Sequence, residues 1–590
     1  MLAKPELATI TTSLTGKRWQ IRAADERQVL SYMQKYGLPE LVCRLLSARG
    51  IAYEAVEGFL NPNLKTQLPD PSHLLDMDKA AARVVAAIAN QEKIAIFGDY
   101  DVDGATSSAL LLRFLRQVGA KSPIVYIPDR MSEGYGPNTP AMLKLKEQGV
   151  SLVITVDCGT MAFEPLQAAY DVGLDVIVVD HHMGEARKPA AYAIVNPNRL
   201  DETSEHRQMA AVGVSFLLAV AVNRLLREQG KKTADLLAFL DLVALGTICD
   251  VVPLTGVNRA FVAQGLKLMA ARQNLGMTTA LDLAKVEDKP GVYHVGFVLG
   301  PRINAGGRVG RSDLGVRLLT TEDDAEALQL AKELEQHNNE RKAIEQLVQE
   351  QAVALAEVAA SEDHPLLLVS STGWHPGVIG IVASRLKDRF HKPTAVVAIE
   401  NGIGKASARS VSGFDMGAAV IAACEAGLLL AGGGHAMAAG FTVEAEKLPA
   451  LHAFLDERAR PSSLAVSDNV RRLVIDAELS LDGLTAELVE LVEQLGPFGQ
   501  SNPSLRFMIR QVHCFKPSIV GQDHVRVMLG DRLGKQRLSA IAFRAADSPL
   551  GLELVRLQNQ PVDLAVQISA REWMGKKMVN VQIEDIALAG

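Results

Sequence analysis

The chain has 590 residues, room for three to five domains at roughly 100–200 residues each. Hydrophobic residues make up 48% and charged residues 22%, ordinary globular proportions that exclude global disorder. A formal charge of −7 excludes a polyanion binder with positive charge spread over its whole surface, but not a basic groove on an acidic body.

The five cysteines (Cys43, Cys158, Cys249, Cys424 and Cys514) are scattered and form no C-x-x-C pair. That argues against a disulfide framework or a structural zinc site and fits a reducing, cytoplasmic setting. No apolar core follows Met1-Leu2-Ala3-Lys4-Pro5-Glu6, so no signal peptide is expected. The longest apolar stretch, near Ala210 to Val222, is shorter than the about 20 residues a membrane span needs and reads as a buried helix.

In chain order, residues 1 to about 75 read as short helices and loops broken by Asn61-Pro62-Asn63 and Leu68-Pro69-Asp70-Pro71. Asp76 to Asn90 reads as a helix. Strand–loop–helix units follow, with strands at Lys93–Phe97, Ile124–Ile127, Leu152–Val156 and Val176–Val179, and a helix over Ala105–Val118. Fully apolar strands alternating with helices predict a parallel sheet covered on both faces. Ligands of such sheets bind at the carboxyl ends of the strands.

Glu322 to Asp363 has helical periodicity without Gly or Pro, and Leu330, Leu334, Ile344, Leu347, Val348 and Leu355 can form its apolar stripe. It carries 12 acidic and 3 basic residues, so the chain's acidic excess is concentrated there. At about 1.5 Å per residue it is long enough to bridge two lobes. A second α/β unit begins at Leu366–Val369, continues through a helix from about Pro376 and the strand Thr394–Ile399, and ends with the loop Gly432-Gly433-Gly434-His435. After about residue 462, short alternating strands such as Arg472–Ile475, His524–Met528 and Val562–Val566 predict a small β-barrel.

The strand Lys93–Phe97 runs into Gly98-Asp99-Tyr100-Asp101-Val102-Asp103-Gly104. Three carboxylates at alternate positions repel one another unless a cation neutralises them. The pattern recurs: Leu152–Val156 ends in Asp157, Val176–Val179 ends in Asp180-His181-His182, and the apolar segment Leu242–Cys249 ends in Asp250. In a parallel sheet those ends converge. The resulting ligand set is rich in Asp with one or two His, which suits Mn²⁺ or Mg²⁺ better than structural zinc, and it has enough carboxylates to bridge two ions. Two such ions about 3.5–4 Å apart are a standard means of attacking a phosphodiester with water. Cys158 and Cys249, which flank ligand aspartates, read as small buried hydrophobes.

These motifs, in this order, resemble those of the DHH phosphoesterases, and Gly432-Gly433-Gly434-His435 resembles the signature of their second, DHHA1-type domain. Pro301-Arg302-Ile303-Asn304-Ala305-Gly306-Gly307-Arg308, Trp374-His375-Pro376-Gly377 and the C-terminal barrel extend the likeness over nearly the whole chain. The branch it resembles is that of the bacterial single-strand-specific 5′→3′ exodeoxyribonucleases. The implied fold is α/β: a DHH parallel-sheet domain (76–320) and a DHHA1 α/β domain (364–461) joined by a long helix (321–363), plus an OB-like barrel (462–590), with a helical cap (1–75) in front.

The resemblance also implies roles. Asp101, Asp103, Asp157, His181 and Asp250 would hold the ions, with Asp157 bridging them. Phe97 stands where smaller relatives have a ligand His, and Asp99 can take that ligand's place. Asp180 would orient His181. His182 would contact the scissile phosphate or protonate the leaving oxygen, and water would attack in line to release a 5′-mononucleotide. Single-strand-binding protein and a RecQ-type helicase are the implied partners, in DNA recombination and repair.

For grip on the strand, Arg302, Asn304 and Arg308 lie among glycines that permit close backbone approach. Trp374 and His375 precede a helix start suited to an anion, where Trp374 can stack on a base or sit in the core. Ser407, Arg409 and the Gly433-Gly434-His435 loop read as companions in one phosphate-binding cleft. In the barrel, Arg526 and Arg571 are candidate backbone contacts. Two other functions compete: a phosphodiesterase for short oligonucleotides or cyclic dinucleotides, for which the barrel and long helix are superfluous, and a non-catalytic DNA-binding scaffold, against which the intact carboxylates stand.

Overall fold

The computed structural model describes residues 7–130, 132–361, 364–466, 472–531, 537–573 and 576–590. Its first sheet is parallel, in the order Ile124–Tyr126, Lys93–Gly98, Val150–Val156, Asp175–Val179, Ala193–Val195. The last of these strands was not expected from the sequence. The strands are apolar through their centres because helices cover both faces, Met77–Ala89, Val102–Gln117 and Ala211–Glu228 on one and Thr139–Glu147 and Phe163–Asp171 on the other. Register fixes what happens at the carboxyl edge. Gly98 pairs with Val156, and Val156 with Val179, so the next residues, Asp99, Asp157 and Asp180, emerge side by side.

The apolar segment before Asp250 differs from the other three. Leu240–Cys249 is a buried helix packed on Val102–Gln117 and Gly256–Ala270. Asp250 therefore reaches the site from a helix C-terminus and not from a sheet edge.

The connecting helix, Asp324–Ser361, has 38 residues and is about 57 Å long. Its N-terminal half buries Ala327, Leu330, Ala331 and Leu334 against the first lobe, and its C-terminal half buries Val348, Ala352 and Ala356 against the second. Leu347 and Leu355 leave the expected stripe and are exposed. The two lobes contact the helix at different stretches, and alanines rather than leucines occupy the tight second contact.

The second lobe has a mixed sheet in the order Ala431–His435, Ala438–Glu444, Ile403–Arg409, Thr394–Glu400, Leu367–Thr372. Gly432-Gly433-Gly434-His435 is thus an antiparallel edge strand and not a loop. The helix expected from Pro376 begins at Ile379. The helix Leu448–Val466 runs across the expected boundary near residue 461.

In the C-terminal region, Phe507–Val520, His524–Gly530, Arg537–Ala542, Lys576–Leu588 and Pro561–Trp573 pair in sequence, and Phe507–Val520 pairs with Pro561–Trp573 to close a five-stranded barrel. The amino-terminal segment is not simply helical. Leu7–Thr12 and Arg18–Arg22 form a hairpin whose second strand pairs with Arg472–Ile475. Trp19 is fully buried there and donates from Nε1 to Asp585 Oδ2 at 2.8 Å. The helices Glu26–Tyr36 and Glu40–Ala48 share the barrel's apolar core.

Candidate metal centre and nucleic-acid cleft

The turn after Lys93–Gly98 is compact because Gly104 packs onto Asp99: a Cβ at Gly104 would lie 2.5 Å from the Asp99 carbonyl oxygen. Asp101 caps the following helix, with Oδ1 accepting the Gly104 N–H at 3.0 Å. Asp103 is buried, and its two oxygens accept the N–H groups of Ala211 (2.6 Å) and Val212 (2.9 Å) at the start of the helix Ala211–Glu228. Asp157 continues the sheet ladder, donating to Val179 O, yet has φ +61°. A non-glycine residue in that region is held by its surroundings, a common condition at functional sites.

His181 sits at the middle of the cluster. Its Nε2 lies 3.2 Å from Asp157 Oδ1 and 3.9 Å from Asp103 Oδ2, and its Nδ1 lies 3.6 Å from Asp250 Oδ2. Three overlapping groups each converge closely enough to surround one ion: Asp99–Asp101–Asp157, Asp103–His181–Asp250 and Asp157–His181–His182. Asp157 and His181 each belong to two of them, and all three aspartates of the first turn take part.

The donor set fits divalent cations on two further counts. Asp99 Oδ1 and Asp157 Oδ1 are buried and accept no hydrogen bond. Burial, and then the charge of Asp101, hold the Asp99 and Asp157 carboxyls well above the usual carboxylate range. Burial pushes Asp103 and Asp250 up to about 7, assisted by Asp250 and Asp101 respectively. A cluster that penalises its own ionisation in this way is relieved by bound positive charge.

Asp180 departs from its expected role. Oδ1 accepts the backbone N–H of His181 (2.8 Å) and of His182 (3.2 Å) and lies 2.8 Å from His182 Nδ1, while Oδ2 accepts Thr160 N–H at 3.0 Å. It orients the His182 ring, not that of His181, because the tight turn returns residue i+2 towards the carboxylate and sends residue i+1 the other way. Burial opposes charge on His182, but the Asp180 carboxylate prevails and raises its pKa to about 9.

Sequence reasoning missed several supports. Asn196 Nδ2 donates to Thr160 Oγ1 and His182 O, both at 2.8 Å, and Asn198 Nδ2 donates to His181 O. The Asn-Pro-Asn run directly after an apolar triplet was the available signal. Tyr135 donates to Asp157 O at 3.0 Å, and its ring meets His182 edge-on. Cys158 is buried as expected, whereas Cys249 is only half-buried.

A cleft of about 1,100 Å³ separates the two lobes, with Arg130, Arg308, Lys405, Ser407, Arg409 and Gly434 among its walls. Alternation along Ile403–Arg409 turns Lys405, Ser407 and Arg409 to the cleft and Ala406 and Ala408 to the core. Arg308 donates to Gly377 O at 2.8 Å across the lobes, and burial lowers its pKa to about 10, so it remains charged at neutral pH. Arg130, not anticipated, lies over the Tyr100 ring at 5.1 Å. Gly433 and His435 are exposed on the same edge strand as Gly434.

Other candidates fall elsewhere. Arg302 pairs with Glu335 of the connecting helix and donates to Val298 O. Asn304 is half-buried in the helix Gly300–Val309. Trp374 is 5% exposed and donates to Gln351 Oε1 at 2.7 Å, so it belongs to the core and has no free face for a base. His375 Nδ1 accepts the Gly377 N–H at 3.0 Å. Arg526 is exposed on the barrel. The Arg571 side chain lies outside the described residues.

Three family models match: the DHH family, N-terminal domain, over residues 93–247; the DHHA1 domain over 363–460; and the RecJ OB domain over 475–585. The chain is 35% identical over 576 residues to the single-stranded-DNA-specific exonuclease RecJ of Bacillus subtilis (97% of this chain, 71% of the relative). It is 35% identical over 567 residues to the RecJ of Escherichia coli (93% and 96%). The crystal structure of Thermus thermophilus RecJ in complex with Mn²⁺ superposes with a TM-score of 0.79 at 28% identity, covering 98% of this chain and 81% of that one. The Mg²⁺ complex of the same protein gives 0.74 at 27% identity, with 98% and 80% covered. With motif order, lobe arrangement and near full-length identity in agreement, the chain belongs to the RecJ family of single-stranded-DNA-specific exonucleases, within the DHH phosphoesterases.

Proposed function

We propose that this exonuclease works from the 5′ end of single-stranded DNA and releases 5′-mononucleotides, using two Mn²⁺ or Mg²⁺ ions. The observation that carries the reading is the set of three ligand groups linked through Asp157 and His181 beside an arginine-lined cleft. Asp99, Asp101, Asp157, Asp103, His181 and Asp250 would hold the ions. Bound there, two divalent ions lower the pKa of a water and neutralise the nonbridging phosphate oxygens.

The chain's own residues do the rest. Asp180 fixes the ring of His182 with Nε2 free to face the scissile phosphate, and the protonated ring can supply the leaving oxygen with its proton. Arg308 and Arg130 hold the backbone, and Lys405, Ser407 and Arg409 receive the strand's 5′ side on the second lobe. The Arg308–Gly377 bond ties the two lobes across the cleft, and on this reading the passage between them admits one strand and not a duplex.

A strand end must be exposed before it can enter, so a RecQ-type helicase and single-strand-binding protein are the partners this chemistry calls for, in recombination and repair in the cytoplasm. Among the described residues no helix is long and apolar enough to cross a membrane. The test uses a 5′-labelled long single strand and a blunt duplex with Mn²⁺, and Asp157→Ala as control. Labelled mononucleotide is expected from the single strand alone, and not from the variant. Equal degradation of duplex, or label retained on shortened products, sinks the reading.

A further inference from the structure

The helix Gly300–Val309 is entered through a π-helical turn, His294–Leu299, with Tyr293 just before it. Such wide turns are rare and frequent at functional sites. Here Tyr293 and Phe297 lie with ring centroids 5.4 Å apart and planes 26° apart, stacked on each other. Neither ring is buried: Tyr293 is 66% exposed and Phe297 is 72% exposed. Leaving a large aromatic pair in water forgoes the stabilisation that burying it would bring.

The same turn touches the helix that carries Asp250. Cys249 Sγ lies 3.7 Å from Val295 O, and Gly296 packs on Ile248. Directly after Asp250, Val251 has φ +60° and is 64% exposed. A β-branched residue in the left-handed region is a true outlier, and strain of this kind persists where the surroundings enforce it. Val251 and Phe297 both line the cleft that holds Arg130 and Arg308 on this lobe and Lys405 and Arg409 on the other. The exposed Phe297 ring thus belongs to the cleft wall and not to a remote surface, and Tyr293 stacks against it.

We infer that Phe297, backed by Tyr293 and flanked by Val251, forms a nucleobase platform: the Phe297 ring stacks on a base of the incoming single strand while the arginines and Lys405 hold its phosphates. The inference rests on the exonuclease reading and adds a subsite to it. Every base has a π face, so the platform grips any sequence and supplies hold without sequence preference. Its attachment to the Asp250 helix ties base position to the metal ligands. A duplex keeps its base faces stacked internally and cannot use such a platform.

The test measures binding by fluorescence anisotropy in the full-length Asp157→Ala background, which needs no turnover. The probes are a 5′-phosphorylated single strand and a matched strand whose leading residues are abasic. Phe297→Ala is expected to weaken binding of the normal strand about tenfold, in line with the loss of one stacked base, and to leave the abasic strand within about twofold. Phe297→Leu, which keeps apolar bulk without a ring, is expected to behave like Phe297→Ala on both strands. Equal affinity of Phe297→Ala and its parent for the normal strand, or an equal loss on both strands, overturns the platform. Turnover of the normal strand by the wild-type protein, measured in parallel, tests the exonuclease reading by itself.

Discussion

Asp180 Oδ1 lies 2.8 Å from His182 Nδ1 and at the same time accepts both backbone N–H groups of the His-His pair. One carboxylate thus sets the turn, the ring orientation and the charge of His182. With its pKa raised to about 9, His182 stays protonated through neutral pH and loses its proton as pH rises through that value. If the ring donates a proton, kcat with Mg²⁺ falls as pH rises through the His182 pKa, which the bound cations hold below its metal-free value. Asp180→Asn removes the partner that raises the pKa, so this limb moves to lower pH by about one unit or more, with kcat reduced. His182→Gln removes the limb altogether. An alkaline limb at the same pH in Asp180→Asn refutes the assignment.

The metal-free protein carries a pH-dependent penalty of unusual sign for carboxylates. Burial first, and neighbouring carboxylates second, raise Asp103 and Asp250 to about 7, above the roughly 3.9 of an unfolded chain. The folded state therefore binds these protons more tightly than the unfolded state. Their stabilising contribution is complete below about pH 4 and is lost as pH rises through about 7. In EDTA, melting is expected to be lower at pH 8 than at pH 5.5, and Asp250→Asn is expected to flatten that difference. Saturating Mn²⁺ should raise Tm most at pH 8. A metal-free Tm that does not fall across this range rejects the mechanism.

Which features were legible in the sequence follows from how far each depends on distant chain. Asp99, Asp157 and Asp180 could be placed because each directly ends an apolar strand, and parallel register brings such ends together. Asp250 could be named but not its route, because Leu242–Cys249 is almost wholly apolar and has no period to separate helix from strand. The hairpin Leu7–Thr12 and Arg18–Arg22 was hidden because its stabilising partner, Arg472–Ile475, lies at the far end of the chain. Arg130, Asn196 and Asn198 act from loops through ring and backbone contacts, which leave no spacing pattern. Arg302 and Arg308 lie in one motif, and only packing shows that the first is committed to Glu335 while the second faces the cleft.

Trp374 separates core from cleft experimentally. Its indole N–H bonds to Gln351 of the connecting helix, and its ring packs with Val348, Ala352 and Val378. Trp374→Phe is expected to cost about 1 kcal/mol through the lost hydrogen bond, and Trp374→Ala about 3–5 kcal/mol through the cavity, both read as shifts in denaturant midpoint. Affinity of Trp374→Phe for single-stranded DNA should stay within about twofold of wild type. A marked loss of affinity at unchanged stability would show that the ring reaches the strand after all.

The two arginines of the Pro301–Arg308 motif differ in a way that salt dependence can read. Each phosphate neutralised on a single strand contributes about −0.7 to the slope of log affinity against log salt. Arg308 is charged and faces the cleft, so Arg308→Ala should make the slope shallower by about that amount as well as weakening binding. It should also loosen the lobes, because the bond to Gly377 O is lost. Arg302 is spent on Glu335 and Val298 O, so Arg302→Ala should lower Tm and leave the slope unchanged. Both are measured in the Asp157→Ala background over a range of NaCl concentrations. A reduced slope in Arg302→Ala, or an unchanged one in Arg308→Ala, would reverse the roles assigned to the pair.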